Sequence, residues 1–190
     1  MDSLKDYASP KSKVTTMIKS GEVIRLRRGL FLAGGNTSYS IKTLANKIYG
    51  PSYISFEYAL SYYNLIPERV ETVTSAICAK DKNKRFDTPV GSFLYRNIPG
   101  IVYPYGIIRK EEDHPFLIAT KEKALCDTLS KIRGISCIKT LTSMLFENLR
   151  LDKEELFTVN MEDVALLAPL YRKKILNLFL EYLKTEASGA

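Results

Sequence analysis

The chain has 190 residues, of which 45% are apolar and 26% are charged, a composition typical of globular domains and unlike that of disordered or collagen-like chains. No apolar segment approaches the ~20 residues of a membrane-spanning helix. The N-terminal residues contain no hydrophobic signal segment, so we expect a cytoplasmic protein.

The formal net charge of +7 is concentrated at the N-terminal end. Residues 1–50 contain nine Lys or Arg and three Asp or Glu, a net charge of +6, whereas the other 140 residues contain 19 basic and 18 acidic side chains. This distribution is typical of a nucleic-acid-binding element attached to a nearly neutral body. A basic face that only promotes solubility is an alternative explanation.

The first predicted element is a helix over residues 9–20, capped by Ser9, with Pro10 at its first position and Gly21 after its end. Its apolar residues share one face, and its short polar and basic residues project elsewhere. We expect the polar side to face DNA through Lys11, Ser12, Lys13, Thr15, Thr16 and Lys19.

A hairpin over residues 22–33 follows, with its turn at Arg28-Gly29. Arg25 and Arg27 fall on one strand face and Arg28 lies at the tip, so all three are candidate phosphate contacts. A polar helix followed by such a hairpin is typical of a recognition helix with a wing. The alternative is that the three arginines pair with acidic groups of the body.

The sequence predicts two domains: residues 1–35 form the winged-helix-like element, and residues 36–190 form the body. Because about 35 residues are too few to fold unaided, we expect the element to dock on the body. The expected shared core consists of Val14, Met17, Ile18, Ile24, Leu26 and Phe31.

The body is predicted to contain helices over residues 41–48 and 55–64, then strands over 70–79, 89–98, 101–109 and 116–119. Residues 81–85 are predicted to form either a charged hairpin connection or a solvated loop. Helices follow over 120–134 and 137–149, two short ones begin at Asp152 and Asn160, and Pro169 opens the last, over 170–184. We therefore predict an α+β fold: a mixed body with a helical C-terminal half.

Few residues suggest catalysis. His114 is the single histidine, the three cysteines lack the spacing of a zinc site, and neither glycine-rich phosphate-binding motif is present. Glu122 and Asp127 could serve a metal-dependent nuclease. The alternative is that Glu122 lies in the first turn of a helix, where its negative charge interacts favourably with the helix dipole. We expect no enzymatic activity, no metal and no cofactor.

Four segments together resemble the AbiEi-type antitoxins, winged-helix transcriptional regulators of type IV toxin–antitoxin systems associated with phage defence. They are SGEVIRLRRGLF at residues 20–31, YISFEYALSYYNL at 53–65, VETVT at 70–74 and ATKEKALCD at 119–127. Fuller members have further helices before the recognition helix, whereas only eight residues precede Ser9 here. The resemblance therefore implies a truncated winged helix.

The resemblance implies a regulator that binds the operator DNA of its own operon and counteracts a nucleotidyltransferase-like toxin encoded beside it. An alternative is a non-enzymatic protein-interaction module, whose basic N-terminus neutralises an acidic partner without binding DNA.

Overall fold

The computed structural model describes residues 9–35, 38–78 and 82–189. The N-terminal part comprises α1 (Pro10–Lys19), β1 (Val23–Arg27) and β2 (Leu30–Ala33). The body begins with α2 (Ile41–Ile48), β3 (Ser52–Ile54), α3 (Phe56–Tyr62), β4 (Val73–Cys78), β5 (Lys84–Thr88), β6 (Gly91–Ile98), β7 (Ile107–Lys110) and β8 (Phe116–Ala119). It ends with α4 (Lys121–Leu129), α5 (Ile138–Ser143), α6 (Lys153–Leu156), α7 (Met161–Leu167) and α8 (Lys174–Gly189).

A six-stranded mixed sheet forms the centre of the body, in the order β5-β6-β4-β3-β8-β7. β4 pairs in parallel with β6 and antiparallel with β3, while β3 and β8 are parallel. The outer pairs, β5 with β6 and β7 with β8, are antiparallel. The predicted mixture of strands and helices is confirmed.

The helices after β8 contribute buried side chains to the main hydrophobic core. α4 is buried from Glu122 to Leu129 and contacts β8, α3, α7 and α8. α5 continues into a π-helical turn at Met144–Asn148, and a 3₁₀ turn at Ala168–Tyr171 precedes α8. Within the described residues, every regular element after Ala119 is helical, which confirms the helical C-terminal half.

Two strand predictions were wrong. Residues 101–105 form turns instead of a strand, with the amide of Val102 donating to the Pro99 carbonyl at 3.2 Å. The strand begins only after Gly106, whose φ is +65°. Residues 84–85 belong to strand β5, although the sequence predicts a charged connection, because an edge strand can keep its charged side chains in water.

Strand bounds also differ elsewhere. The short buried strand β3 was not predicted, and β4 and β6 begin later than their patterns suggest, at Val73 and Gly91. A two-residue turn, Pro89-Val90, joins β5 to β6, and Thr88 pairs with Gly91 across it. Ala79, the predicted end of β4, lies outside the described residues.

Helix ends were predicted less well than helix positions. α4 ends at Leu129, so the predicted continuation to Gly134 was wrong, and residues 132–136 have no regular structure. The last helix begins at Lys174, four residues after the predicted start, because Arg172 has a left-handed φ of 52°. The short helices do begin at Asp152 and Asn160, whose side chains accept backbone N–H groups.

The β1–β2 hairpin packs on the body through one face. Leu26 is buried, and Ile24, Leu30 and Leu32 are half-buried against the main core. Two expected core residues were misassigned: Phe31 and Ile18 are each 37% exposed. Phe31 lies opposite Arg25 in the hairpin register, on the face that points to solvent.

Helix α1 packs on β1 and buries none of its residues fully. Val14 and Met17 are half-buried. The main hydrophobic core includes neither of them, so the expected shared core is limited to Ile24 and Leu26.

Candidate nucleic-acid interface

The polar side of α1 is open to solvent. Lys11, Ser12, Thr15, Thr16 and Lys19 are exposed, and Lys13 is half-buried. The hydroxyls of Thr15 and Thr16 donate to the carbonyls of Lys11 and Ser12 at 3.0 and 3.1 Å. These bonds leave the hydroxyl oxygens available as acceptors.

All three arginines of the hairpin are exposed, and Arg27 also docks the hairpin on the body. Arg25 in β1 and Arg28 in the turn are exposed, and Gly29 takes the φ of +77° that closes this turn. The guanidinium of Arg27 donates from Nε to the carbonyl of Ile48, at the end of α2, and from Nη1 to the carbonyl of Arg28 at 3.1 Å. Arg27 therefore ties the hairpin to the body.

Glycines fix the position of α1 relative to the hairpin. Gly21, directly after the helix, has a φ of +76°. The amide of Gly34 donates to the Glu22 carbonyl at 2.8 Å, and a Cβ at Gly34 would lie 1.8 Å from the Gly21 carbonyl oxygen. Only glycine permits this close approach, so the helix and the hairpin form one unit.

The surface formed by Lys11, Ser12, Thr15, Thr16, Lys19, Arg25 and Arg28 is called the N-terminal basic surface below. Glu22 is the sole acidic residue among residues 9–35, and its carboxylate accepts a 2.6 Å bond from Ser20. Arg25, Arg27 and Arg28 form no ion pair with a carboxylate of the described residues. The alternative, in which these arginines form ion pairs with acidic side chains of the body, is therefore not observed among the described residues.

The carboxylates considered for a nuclease have separate partners. Glu122 is nearly buried and accepts the amide of Asn160 at 2.9 Å. Asp127 is fully buried, and both of its oxygens accept hydrogen bonds. The described part of the chain contains no group of three His, Cys, Asp or Glu side chains arranged to hold a metal ion.

Asp127 is the centre of a buried polar cluster that connects four parts of the fold. Its Oδ2 accepts from Ser55 at 2.7 Å and from the Tyr53 hydroxyl at 3.0 Å, and its Oδ1 accepts from the Tyr171 hydroxyl at 2.6 Å. Lys123 Nζ lies 3.5 Å from Oδ1. We call these five residues the buried polar cluster.

The lysine of this cluster is also fully buried. Lys123 Nζ donates to the carbonyl of Val102 at 2.6 Å and to the Tyr171 hydroxyl at 2.8 Å. Burial lowers the pKa of Lys123, and the charge of Asp127 opposes that change. Burial also raises the pKa values of Tyr53 and Tyr171, with a further increase from Asp127.

A strained junction positions Ser55 in the cluster. Phe56 follows it with a φ of 57°, a left-handed value that is uncommon for a bulky residue. The hydroxyl of Thr74 donates to the Ser55 carbonyl at 2.6 Å and accepts the amide of Tyr58 at 3.0 Å. These bonds hold the start of α3 against β4, which places Ser55 beside Asp127.

His114 is half-buried and packs against the segment before α2. Its Nε2 lies 3.1 Å from the Ser38 hydroxyl, and its carbonyl accepts from Thr43 at 2.9 Å. Among the described residues, no carboxylate forms a hydrogen bond with the ring. The orienting acid of a Ser-His-Asp arrangement is thus not present in that part of the chain.

Most of the buried polar cluster was not predicted. Asp127 was expected only as a candidate nuclease carboxylate together with Glu122, and no role was expected for Tyr53, Ser55, Lys123 or Tyr171. The available signal was a lysine and an aspartate four residues apart, at a spacing that allows them to pair, on a helix with apolar core positions at Ala124, Leu125 and Leu129, since charged residues on a buried helix require partners.

No known protein-family model matches this chain, and a search of curated proteins found no significant match. The part of the chain that the structure describes contains no helix with the length and apolar character needed to cross a bilayer.

Proposed function

We propose that the protein is a DNA-binding transcriptional regulator that reads its own operator with α1 and the β1–β2 hairpin, in the manner of a winged helix. The observation that carries this proposal is the N-terminal basic surface. Its polar and cationic side chains are exposed on one rigid unit, and its arginines are not neutralised by carboxylates of the described residues.

The two halves of the surface have different roles in this proposal. Thr15 and Thr16 on α1 offer exposed hydroxyl oxygens as acceptors to base edges in a major groove, and Lys19 offers an ammonium donor to phosphates or base edges. Arg25 and Arg28 lie on the hairpin and contact phosphates beside the groove. Arg27 is exposed too, but its guanidinium docks the hairpin on α2, so we assign it a positioning role in place of a phosphate contact.

The salt dependence of DNA binding tests the proposal. Each phosphate contact contributes about −0.9 to the slope of log K against log salt. We expect R25A/R28A to flatten the slope by about 1.8 and to weaken binding to operator and random duplex alike. The measurement is a fluorescence anisotropy titration against the upstream region of the protein's own operon at several salt concentrations.

The matched control is R69A/R109A, which removes the same charge from two exposed arginines that pair with Glu71 and Glu111. We expect its slope to equal that of the wild type. Equal flattening by both variants would show that only net charge matters. A wild-type slope near zero, with no preference for the operator, would favour the protein-interaction module instead.

The resemblance to AbiEi-type antitoxins adds a second part to the proposal: the protein counteracts a nucleotidyltransferase-like toxin. This part is supported by the four sequence segments alone. Co-expression with a nucleotidyltransferase-like protein encoded beside it should restore growth, and continued growth arrest would contradict it.

A further inference from the structure

A positively charged cavity lies where the end of β6, the segment after α4 and the loop before α8 meet. Its volume is about 310 Å³, and its lining includes Asn97, Ser130, Lys131, Arg133, Tyr171 and Lys173. We call it the basic cavity. This volume falls at the lower end of the range for ligand clefts, roughly 300–1,000 Å³, so it suits a small ligand rather than a macromolecule.

The cavity lining contains three cations and no carboxylate. Arg133 and Lys173 are exposed, and neither forms an ion pair with another described residue. Arg172 and Lys174 flank Lys173 and are also exposed. Positive charge gathered in a concave site attracts anions more strongly than the same charge on a flat surface.

The third cation, Lys131, is held at the cavity wall. Its ammonium group donates to the carbonyl of Asn97, which uses one of its three protons. Burial lowers the pKa of Lys131, and the nearby positive charges of Lys173 and Arg96 lower it further, while Asp127 opposes them. A bound anion would relieve this repulsion between cations.

We propose that the basic cavity binds the diphosphate group of a small ligand. A single phosphate group carries about 1.5 to 2 negative charges near neutral pH, so two linked groups match three cations better than one does. The guanidinium of Arg133 can contact two phosphate oxygens at once, and the lysines act as point charges.

This site is separate from the N-terminal basic surface. Its residues come from the end of β6 and the residue after it, from the segment after α4 and from the segment before α8, and none of them belongs to α1 or the hairpin. Tyr171 lines the cavity while its hydroxyl remains in the buried polar cluster. Ligand binding there can therefore be tested independently of DNA binding.

Isothermal titration calorimetry of the whole chain with pyrophosphate, inorganic phosphate and ADP tests the proposal. We expect saturable binding of pyrophosphate and weaker binding of phosphate. Removing one charge-assisted hydrogen bond is expected to lower the affinity about tenfold. R133Q/K173Q removes two cations, so it should weaken pyrophosphate binding about 100-fold. Both side chains are exposed, and an unchanged melting temperature would confirm that the variant folds.

K11Q/K19Q is the matched control, because it removes two positive charges from the N-terminal basic surface. We expect it to weaken DNA binding and to leave pyrophosphate binding unchanged. R133Q/K173Q should weaken pyrophosphate binding and leave DNA binding unchanged. If ADP binds more tightly than pyrophosphate, the ligand is a nucleotide, and equal affinities indicate free diphosphate. No saturable pyrophosphate binding, equal loss in both variants, or displacement of pyrophosphate by duplex DNA would each overturn the proposal.

Discussion

At the scale of single residues, the buried polar cluster is the most demanding feature of the molecule. Asp127 receives three hydroxyl donors and lies beside the ammonium group of Lys123, and neither side chain reaches solvent. A buried ion pair does not stabilise a fold strongly compared with apolar residues, but breaking one leaves an uncompensated charge. The cluster therefore makes the fold sensitive to the loss of either partner.

We predict that Asp127→Asn lowers the free energy of unfolding by about 3 kcal/mol. The amide nitrogen cannot accept hydrogen bonds from the surrounding hydroxyls, and Lys123 loses its countercharge. The measurement is urea unfolding at neutral pH. Glu122→Gln on the same helix is the control, and it should cost less than about 1 kcal/mol because the amide oxygen can still accept the Asn160 amide. Equal losses would contradict this role for Asp127.

Buried tyrosines also make stability depend on alkaline pH. Burial raises the pKa of Tyr103 to about 12. Above a pH of about 10 the unfolded chain loses this proton while the folded chain keeps it, so stability falls as the pH rises. The lowered pKa values of Lys123 and Lys131 act in the opposite direction, but below the ordinary lysine pKa of 10.5, where the folded chain loses these protons first. The raised pKa values of Tyr53 and Tyr171 reinforce the fall.

We predict that Tyr103→Phe reduces the loss of stability between pH 10 and 12 by at most about 1.4 kcal/mol per pH unit, the value for one proton. Urea unfolding at several pH values measures this slope. The control is Tyr105→Phe, whose side chain is 52% exposed, and we expect the wild-type slope for it. A Tyr103→Phe slope equal to that of the wild type would show that this hydroxyl titrates alike in both states.

At the scale of elements, the hairpin shows how far an alternating pattern predicts packing. The pattern places Arg25 on the solvent face and Leu26 on the core face, and the structure agrees. It does not predict the register irregularity between Arg25 and Arg27, which precedes the turn and directs the Arg27 guanidinium to the end of α2. Such irregularities depend on the partner strand, so a single strand pattern cannot reveal them.

We predict that Leu26→Ala lowers the free energy of unfolding by about 2–4 kcal/mol, since it leaves a cavity under the hairpin. Phe31→Ala should cost less than about 1 kcal/mol because that side chain is 37% exposed on the outer face. Thermal or urea unfolding of the two variants gives the comparison. A larger loss of unfolding free energy for Phe31→Ala than for Leu26→Ala would contradict the assignment of Leu26 to the core face and Phe31 to the solvent face.

At the scale of the whole molecule, the sequence predicted the class of fold and most helix positions, because apolar spacing and caps are local signals. It did not predict the order of the strands or the short strand β3, since the parallel pairing of β3 with β8 joins residues far apart in the chain. The exposure of the polar side of α1 could be predicted from the spacing of its apolar residues. The basic cavity could not be predicted, because residues from three separate segments form it.

The ends of the central sheet have a consequence for how copies of the chain meet each other. The outermost strands, β5 and β7, carry Lys84, Arg85 and Asp87 on one side and Arg109 and Lys110 on the other. Unpaired backbone groups on an edge strand invite a strand from another molecule, and charged side chains there, lysine above all, discourage it. The charged residues that made β5 look like a connection in the sequence therefore also oppose edge-to-edge aggregation.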